Sequence, residues 1–192
     1  MSIDGVILAA GYSERMGLFK PALDIAGKPL LIRCIDSMAA ISDRIIVVGG
    51  FNSEKIIELV NQTPKVVIVK NEYFQQGMFS SVRRGIREVQ GDRFFIIPGD
   101  QPAVKTETYQ KLLAEKGDIV IPRYNGKKGH PVLFNSQLIP EILIMPDTVT
   151  LRDFIHSKKA TILDVDDPGI GLDVDTLADY EKIKLYFTEE MQ

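Results

Sequence analysis

Short apolar runs without polar alternation punctuate the chain: GVILAA (5–10), RIIVV (44–48), VVIV (66–69), RFFII (93–97), DIVI (118–121) and PVLF (131–134). A strand with one wet face alternates apolar and polar residues, so unbroken runs rich in Val and Ile suit strands covered on both faces. Segments of helical period lie between them. Met78, Val82, Ile86 and Val89 form a stripe over 78–89, and Asn52 stands where it can cap a helix carrying Ile56, Ile57 and Val60. Thr106 is placed to cap a helix with Tyr109, Leu112 and Leu113, and Thr176 with Asp179 resembles a capping box ahead of Tyr180, Ile183 and Phe187. Strand and helix alternate from residue 5 to about 121, which calls for an α/β fold with a mostly parallel sheet and helices on both faces. Beyond that, RYNGKKGHPVLF (123–134) reads as a glycine-rich turn feeding a strand, and DVDDPGIGLDVDT (164–176) as an acidic loop before the last helix. Asp164, Asp166 and Asp167 read as solvated members of that loop. No repeat, low-complexity tract or linker interrupts the pattern, so one domain over 1–192 is expected.

Composition narrows what such a sheet can serve. With 192 residues and 45% apolar content the chain can bury one sizeable core. A formal charge of -3 speaks against a broad electrostatic grip on nucleic acid or an anionic membrane, so a bound polyphosphate has to be held by a local site. The only cysteine, Cys34, sits among Leu30, Leu31 and Ile35, which rules out an intramolecular disulfide and suggests a buried, inert thiol in a reducing compartment. The apolar run from Val6 to Ala10 is too short for a signal peptide or a membrane span, so a cytoplasmic protein is expected.

The first strand leaves through LAAGYSERMGLFK (8–20). Five residues separate Gly11 from Gly17 and Lys20 is misplaced for a GxxxxGK[ST] loop, while GxGxxG is absent. The chemistry still permits a phosphate site. Ligands of open α/β sheets bind beyond the carboxyl ends of the strands, and Ala9, Ala10 and Gly11 let a phosphate approach the backbone N–H groups. Arg15 adds a planar fork of donors and Lys20 a mobile point charge. The alternative is a solvated turn with two surface cations, and the stretch alone does not choose.

FFIIPGDQP bears on that choice. It ends a strand in Pro98, Gly99 and Asp100, so Asp100 projects from the same edge, either as a turn former or as a carboxylate beside a polyphosphate, where Mg²⁺ is the natural mediator. If 172–175 are extended, Asp173 and Asp175 share a face and could complete a metal site; otherwise Asp175 is a solvated acid near a helix N-terminus. Gly85, inside a helical stripe, costs about 1 kcal/mol relative to alanine and signals a close contact. His156 reads as a favourable charge at a helix C-terminus.

Taken together these stretches resemble a family. LAAGYSERMGLFK matches the LAAGxSxRMGxxK signature of the molybdenum cofactor nucleotidyltransferases, and GMFSSVRRG (77–85), GDQP (99–102), GHPVLF (129–134) and DVDT (173–176) follow in the order of its cytidylyltransferase branch. The resemblance runs from residue 5 to about 180. It implies a three-layer α/β/α, Rossmann-like fold of the nucleotide-diphospho-sugar transferase type. It also implies transfer of CMP from CTP to the terminal phosphate of molybdenum-loaded molybdopterin, with release of pyrophosphate, Mg²⁺ or Mn²⁺ as cofactor, and transient contact with a recipient molybdoenzyme. By position, Leu8, Ala9, Ala10, Gly11, Gly77, Met78, Ser81 and Gly99 would line the nucleotide, with Arg15 and Lys20 on its phosphates. Ser80, Gly129 and His130 would face the acceptor, and Asp100, Asp173 and Asp175 would serve the metal.

Several points stay open at this level. Ser80 and Ser81 could equally be a plain helix N-terminus, and His130, between glycine and proline, could simply shape a turn. Guanylyl relatives typically read LAGG where this chain has Leu8 to Gly11, so the methyl of Ala10 would favour a pyrimidine by about 1–3 kcal/mol. The pattern departs from the family after DVDT, where Leu177 and Ala178 replace a usual Pro-Glu. The alternatives are a transferase acting on a sugar or polyol phosphate or using GTP, and a non-catalytic carrier of the nucleotide or cofactor.

Overall fold

The computed structural model describes residues 1–11 and 17–190. The chain forms, in order, β1 (Ile3–Ala9), β2 (Asp24–Ile25), β3 (Lys28–Pro29), α1 (Leu30–Ala39), β4 (Arg44–Gly49), α2 (Ser53–Val60), β5 (Val66–Lys70), α3 (Met78–Ile86) and β6 (Arg93–Pro98). There follow α4 (Thr106–Ala114), β7 (Ile119–Tyr124), β8 (Lys127–Lys128), β9 (Val132–Asn135), α5 (Ile139–Leu143), α6 (Leu151–His156), β10 (Thr161–Asp164) and α7 (Leu177–Glu190). Each unbroken apolar run noted above is a strand. The main sheet runs β10-β7-β9-β6-β1-β4-β5, with β8 pairing β7 at the side. β5, β4, β1 and β6 are mutually parallel, and β9 lies antiparallel between β6 and β7.

Two cores cover the two faces. β1 shows why: Ile3 and Ile7 point into a cluster with Leu30, Ile35, Ile56, Tyr109 and Ile183, from α1, α2, α4 and α7. Val6 points the other way, onto Val82 and Ile86 of α3, Ile142 of α5 and Phe154 of α6. The result is the three-layer α/β/α arrangement expected from the sequence. Gly85 has its explanation in the same place, because a Cβ there would lie 2.6 Å from Val6 Cγ1 and 2.8 Å from Val48 Cγ2. The glycine lets α3 sit directly on the sheet; the close contact is with protein.

Several local expectations are corrected. Met78 is 66% exposed rather than part of the buried stripe, which uses Phe79, Val82 and Ile86 instead. Asn52 precedes α2 in the left-handed region and its side chain makes no capping hydrogen bond. α4 is preceded by Lys105, and Thr106 Oγ1 donates to the Ser37 carbonyl at 2.9 Å, tying α4 to α1. The Thr176–Asp179 box does form, with Asp179 N–H donating to Thr176 Oγ1 and Thr176 N–H to Asp179 Oδ2. A second box, Thr150 with Asp153, opens α6.

Asp167 departs furthest from its reading. It is 1% exposed and accepts from Thr108 Oγ1 at 2.6 Å, Lys105 N–H at 3.0 Å and Gly169 N–H at 2.8 Å. A buried carboxylate is tolerable when hydrogen bonds replace its water, and here it staples the turn at 168–171 to the start of α4. Asp164 and Asp166 are exposed as expected, Asp164 paired with Arg123 at 2.7 Å. Cys34 is buried, and burial pushes its thiol well up, away from reactive thiolate.

Candidate active site

β1 and β6 are parallel neighbours in which Leu8 pairs with Pro98, so their carboxyl ends open at one edge. Gly99 N–H donates to the Leu8 carbonyl at 2.8 Å and Phe51 N–H to the Ala10 carbonyl at 3.3 Å, which fixes three strand exits together. Close approach at this edge needs small residues. A Cβ on Gly50 would stand 2.7 Å from the Ala10 carbonyl oxygen and 2.8 Å from Ala10 Cβ.

Asp100 emerges from β6 beside a charged cluster. Val174 N–H donates to the Asp100 carbonyl at 3.0 Å, drawing the 172–175 segment alongside. Val174 is buried, Asp173 exposed and Asp175 half-buried. Lys20 Nζ lies 2.9 Å from Asp175 Oδ1 and 3.6 Å from Asp100 Oδ2. Burial raises the Asp100 carboxyl above its usual range, opposed by the Lys20 charge and reinforced by Asp175 and Asp173. Asp175 thus shares the ammonium with Asp100, while Asp173 acts on Asp100 through its charge. Arg15 falls at 12–16, outside the described residues.

A cavity of about 360 Å³ opens over this edge, lined by Leu8, Ala9, Ala10, Gly11, Lys20, Gly77, Met78, Ser81, Gly99 and Asp100 among others. All the described residues expected around a nucleotide therefore surround one space. Gly77, at φ 94°, a left-handed value that favours glycine, starts α3 with its N-terminus at the cavity. Leu8, Gly77, Met78 and Pro98 also border a second, larger groove of about 960 Å³.

That groove is lined by Gly129 and His130, two of the three residues expected at the acceptor. His130 N–H donates to the Ile170 carbonyl at 2.9 Å, and a Cβ on Gly129 would collide with Ile170, so the glycine is needed for this crossing. Burial pushes the His130 imidazole down to about 4, leaving it neutral near pH 7. Ser80, expected at the acceptor, is not in either space. Its hydroxyl lies 2.8 Å from the Gly77 carbonyl and 2.9 Å from that of Tyr73, and it accepts from Asn71 Nδ2, so it secures the turn before α3.

Sequence reasoning missed some of what shapes these spaces. Asn71, buried at the end of β5, donates to both Ser80 and Ser81 and accepts from Tyr73 N–H. Its only signal was a polar break after VVIV. The wall of the groove formed by Asp147 to Arg152 gave no signal beyond Thr150 and Asp153 at capping spacing, and His156 both ends α6 and lines the groove. Gln101, the third residue of GDQP, also lines it.

Comparison with known proteins bears on the family and the fold. Residues 5–162 match the MobA-like NTP transferase domain. The chain is 28% identical over 189 residues to the molybdenum cofactor cytidylyltransferase of Escherichia coli (strain K12), covering 98% of each. A probable molybdenum cofactor guanylyltransferase of Natranaerobius thermophilus is 31% identical over 129 residues, 65% of this chain and 62% of that one. Among solved structures, Rv0371c from Mycobacterium tuberculosis H37Rv superposes with a TM-score of 0.83 at 26% identity, over 96% of this chain and 99% of that one. Another structure of that protein, with a TM-score of 0.78 at 24% identity and the same coverage, is of its complex with manganese. With residues 5–162 matched to that domain and nearly its whole length shared with the cytidylyltransferase, the chain belongs to the MobA-like NTP transferase domain family of nucleotidyltransferases.

Proposed function

We propose that the protein transfers CMP from CTP to the terminal phosphate of molybdenum-loaded molybdopterin, releasing pyrophosphate. The observation that carries this reading is the pair of joined spaces at one sheet edge. The smaller, at about 360 Å³, is bounded by the β1 exit and the α3 N-terminus; the larger, at about 960 Å³, is mostly apolar-walled and meets it at Leu8, Gly77, Met78 and Pro98. A sugar phosphate would leave much of the larger groove unfilled, whereas a fused-ring acceptor would use its apolar walls. The full-length likeness to the Escherichia coli cytidylyltransferase supports the same acceptor and CTP.

The donor set fits a divalent cation. Asp100 and Asp175 come from separate segments yet converge on one positive charge, and burial, together with the charges of Asp175 and Asp173, raises the Asp100 carboxyl against the pull of Lys20. Among the described residues no group of three or more His, Cys, Asp or Glu is arranged to hold a metal, but Mg²⁺ commonly takes one or two carboxylates and completes its shell with substrate phosphates. Asp100 and Asp175 would hold Mg²⁺, or Mn²⁺ in its place, and Asp173 would add charge nearby. When bound there, such an ion would neutralise the triphosphate and screen its repulsion from the acceptor.

The remaining work falls to the chain. Gly11 and the first turn of α3 offer N–H groups to phosphate oxygens, favoured further by the helix dipole. Lys20 would leave its carboxylates for the phosphates, joined by Arg15, and stabilise charge on the α-phosphate and the departing pyrophosphate. A terminal phosphate oxygen of the acceptor forms a bond to the α-phosphorus as the bond to the bridging oxygen breaks. That oxygen is already anionic, so no side chain has to remove a proton. Neutral His130 would hydrogen-bond the acceptor without adding charge.

The test is pyrophosphate release with Mg²⁺ and each of CTP, GTP, ATP and UTP, with and without loaded molybdopterin. Release that needs both CTP and the pterin supports the reading. Release with GTP, or with a sugar phosphate as acceptor, replaces it with another transferase. Tight cofactor binding without release under any condition points to a carrier.

A further inference from the structure

Asp100 and Gln101 are consecutive but serve different spaces: Asp100 lines the smaller cavity and Gln101 the larger groove. Gln101 is 7% exposed, and its Oε1 is buried with no hydrogen-bond partner among the described residues. Interiors leave few such atoms unpaired, because an orphaned carbonyl forfeits water and receives nothing in return. A side chain that lines a groove while carrying an unmet acceptor is poised for a donor that arrives with a ligand. The character of that donor follows from the surroundings. A carbonyl oxygen repels phosphate oxygens, so the group meeting Oε1 is not the reacting phosphate. The walls of the same groove include Phe79, Val82, Ile121 and Ile155, suited to the flat face of a ring, while Lys128 and Arg152 supply positive charge.

Resting on the transfer reading above, we propose that Gln101 recognises the acceptor by taking a hydrogen bond from a neutral N–H of its fused heterocycle. The carbonyl then selects acceptors that carry a donor at that place and rejects shape-matched ones that lack it, since those leave the oxygen buried and unpaired. Gln101 makes no contact with the reacting atoms in this scheme; it orients the acceptor so that its phosphate faces the edge near Asp100.

The experiment compares wild-type protein with Gln101→Met and Gln101→Leu, which remove the orphan while filling its space. Molybdenum-loaded molybdopterin is titrated without nucleotide, Mg²⁺-CTP is titrated separately, and each protein's melting temperature is measured. Acceptor affinity should fall about tenfold or more in both variants, with CTP affinity unchanged and melting temperature equal or higher. Equal acceptor affinity in all three proteins overturns the inference and leaves the transfer reading intact. Loss of affinity for both ligands together with a lower melting temperature assigns Gln101 a structural role and also overturns it. Absence of pterin binding by the wild-type protein overturns the transfer reading and this inference together.

Discussion

At the scale of single residues, Lys20 is the informative side chain, because its ammonium stands where two acidic segments meet. Two anions that attract a lysine also attract a divalent ion, so under the proposed function the lysine and the metal would compete for the same carboxylates. Lys20→Ala should therefore bind Mn²⁺ more tightly than wild type without nucleotide, read by electron paramagnetic resonance titration. The same variant should lose turnover on the order of 100-fold, because a donor aimed at transition-state charge is gone. Unchanged Mn²⁺ affinity would remove the competition from the account. Ala10 makes a second case. Its carbonyl and Cβ lie close against Gly50, which leaves this cavity-lining residue little room to shift. Ala10→Gly should shift the CTP/GTP ratio of kcat/KM toward GTP by roughly tenfold, within the 1–3 kcal/mol a methylene-sized change supplies. An unaltered ratio would move base selection elsewhere.

At the scale of elements, α3 joins fold to site. Its Gly85 sits against Val6 and Val48, and its first residues border both spaces. Alanine is the better helix former by about 1 kcal/mol, yet here its Cβ would meet methyl groups that the sheet holds in place. Gly85→Ala should destabilise the protein by about 1–3 kcal/mol and lower turnover as α3 is displaced, checked by denaturant melts and by kcat. A stabilised variant would show that the helix can ride outward at no cost. The elements themselves were largely legible in the sequence, since unbroken Val and Ile runs have few other uses in a chain of this kind. The misread positions share a cause: Met78, Thr106 and Asp167 were judged by local spacing, and tertiary contacts decide them. Asp167 is the clearest, because only the approach of the 168–171 turn to α4 turns an acidic-loop residue into a buried staple. The strand-edge half of the candidate site was legible for the converse reason, its residues lying in contiguous stretches that leave parallel strands at one edge.

At the scale of the whole molecule the larger groove was not legible, because it belongs to no single stretch. It is assembled from the end of β6, the turn before β9, the approach to α6 and the 168–171 turn. These meet only once β9 has inserted antiparallel between β6 and β7, an order that strand patterns do not encode. His130 senses that assembly, as its N–H is bonded across to Ile170 and burial holds its imidazole at about 4. The unfolded chain would titrate near 6.5, so below that pH it binds a proton that the folded protein refuses. Stability is therefore unaffected by this group at pH 7 and above, and is lost as pH falls from about 6.5 toward 4, by about 1–3 kcal/mol. His130→Gln keeps a hydrogen-bonding side chain but cannot titrate there. Paired denaturant melts should give the two proteins a constant stability difference above pH 7, and a difference that shifts in favour of the variant as the pH is lowered. Parallel curves down to pH 4 would mean that the groove opens to water around His130 and that the imidazole is free to take its proton in the folded state.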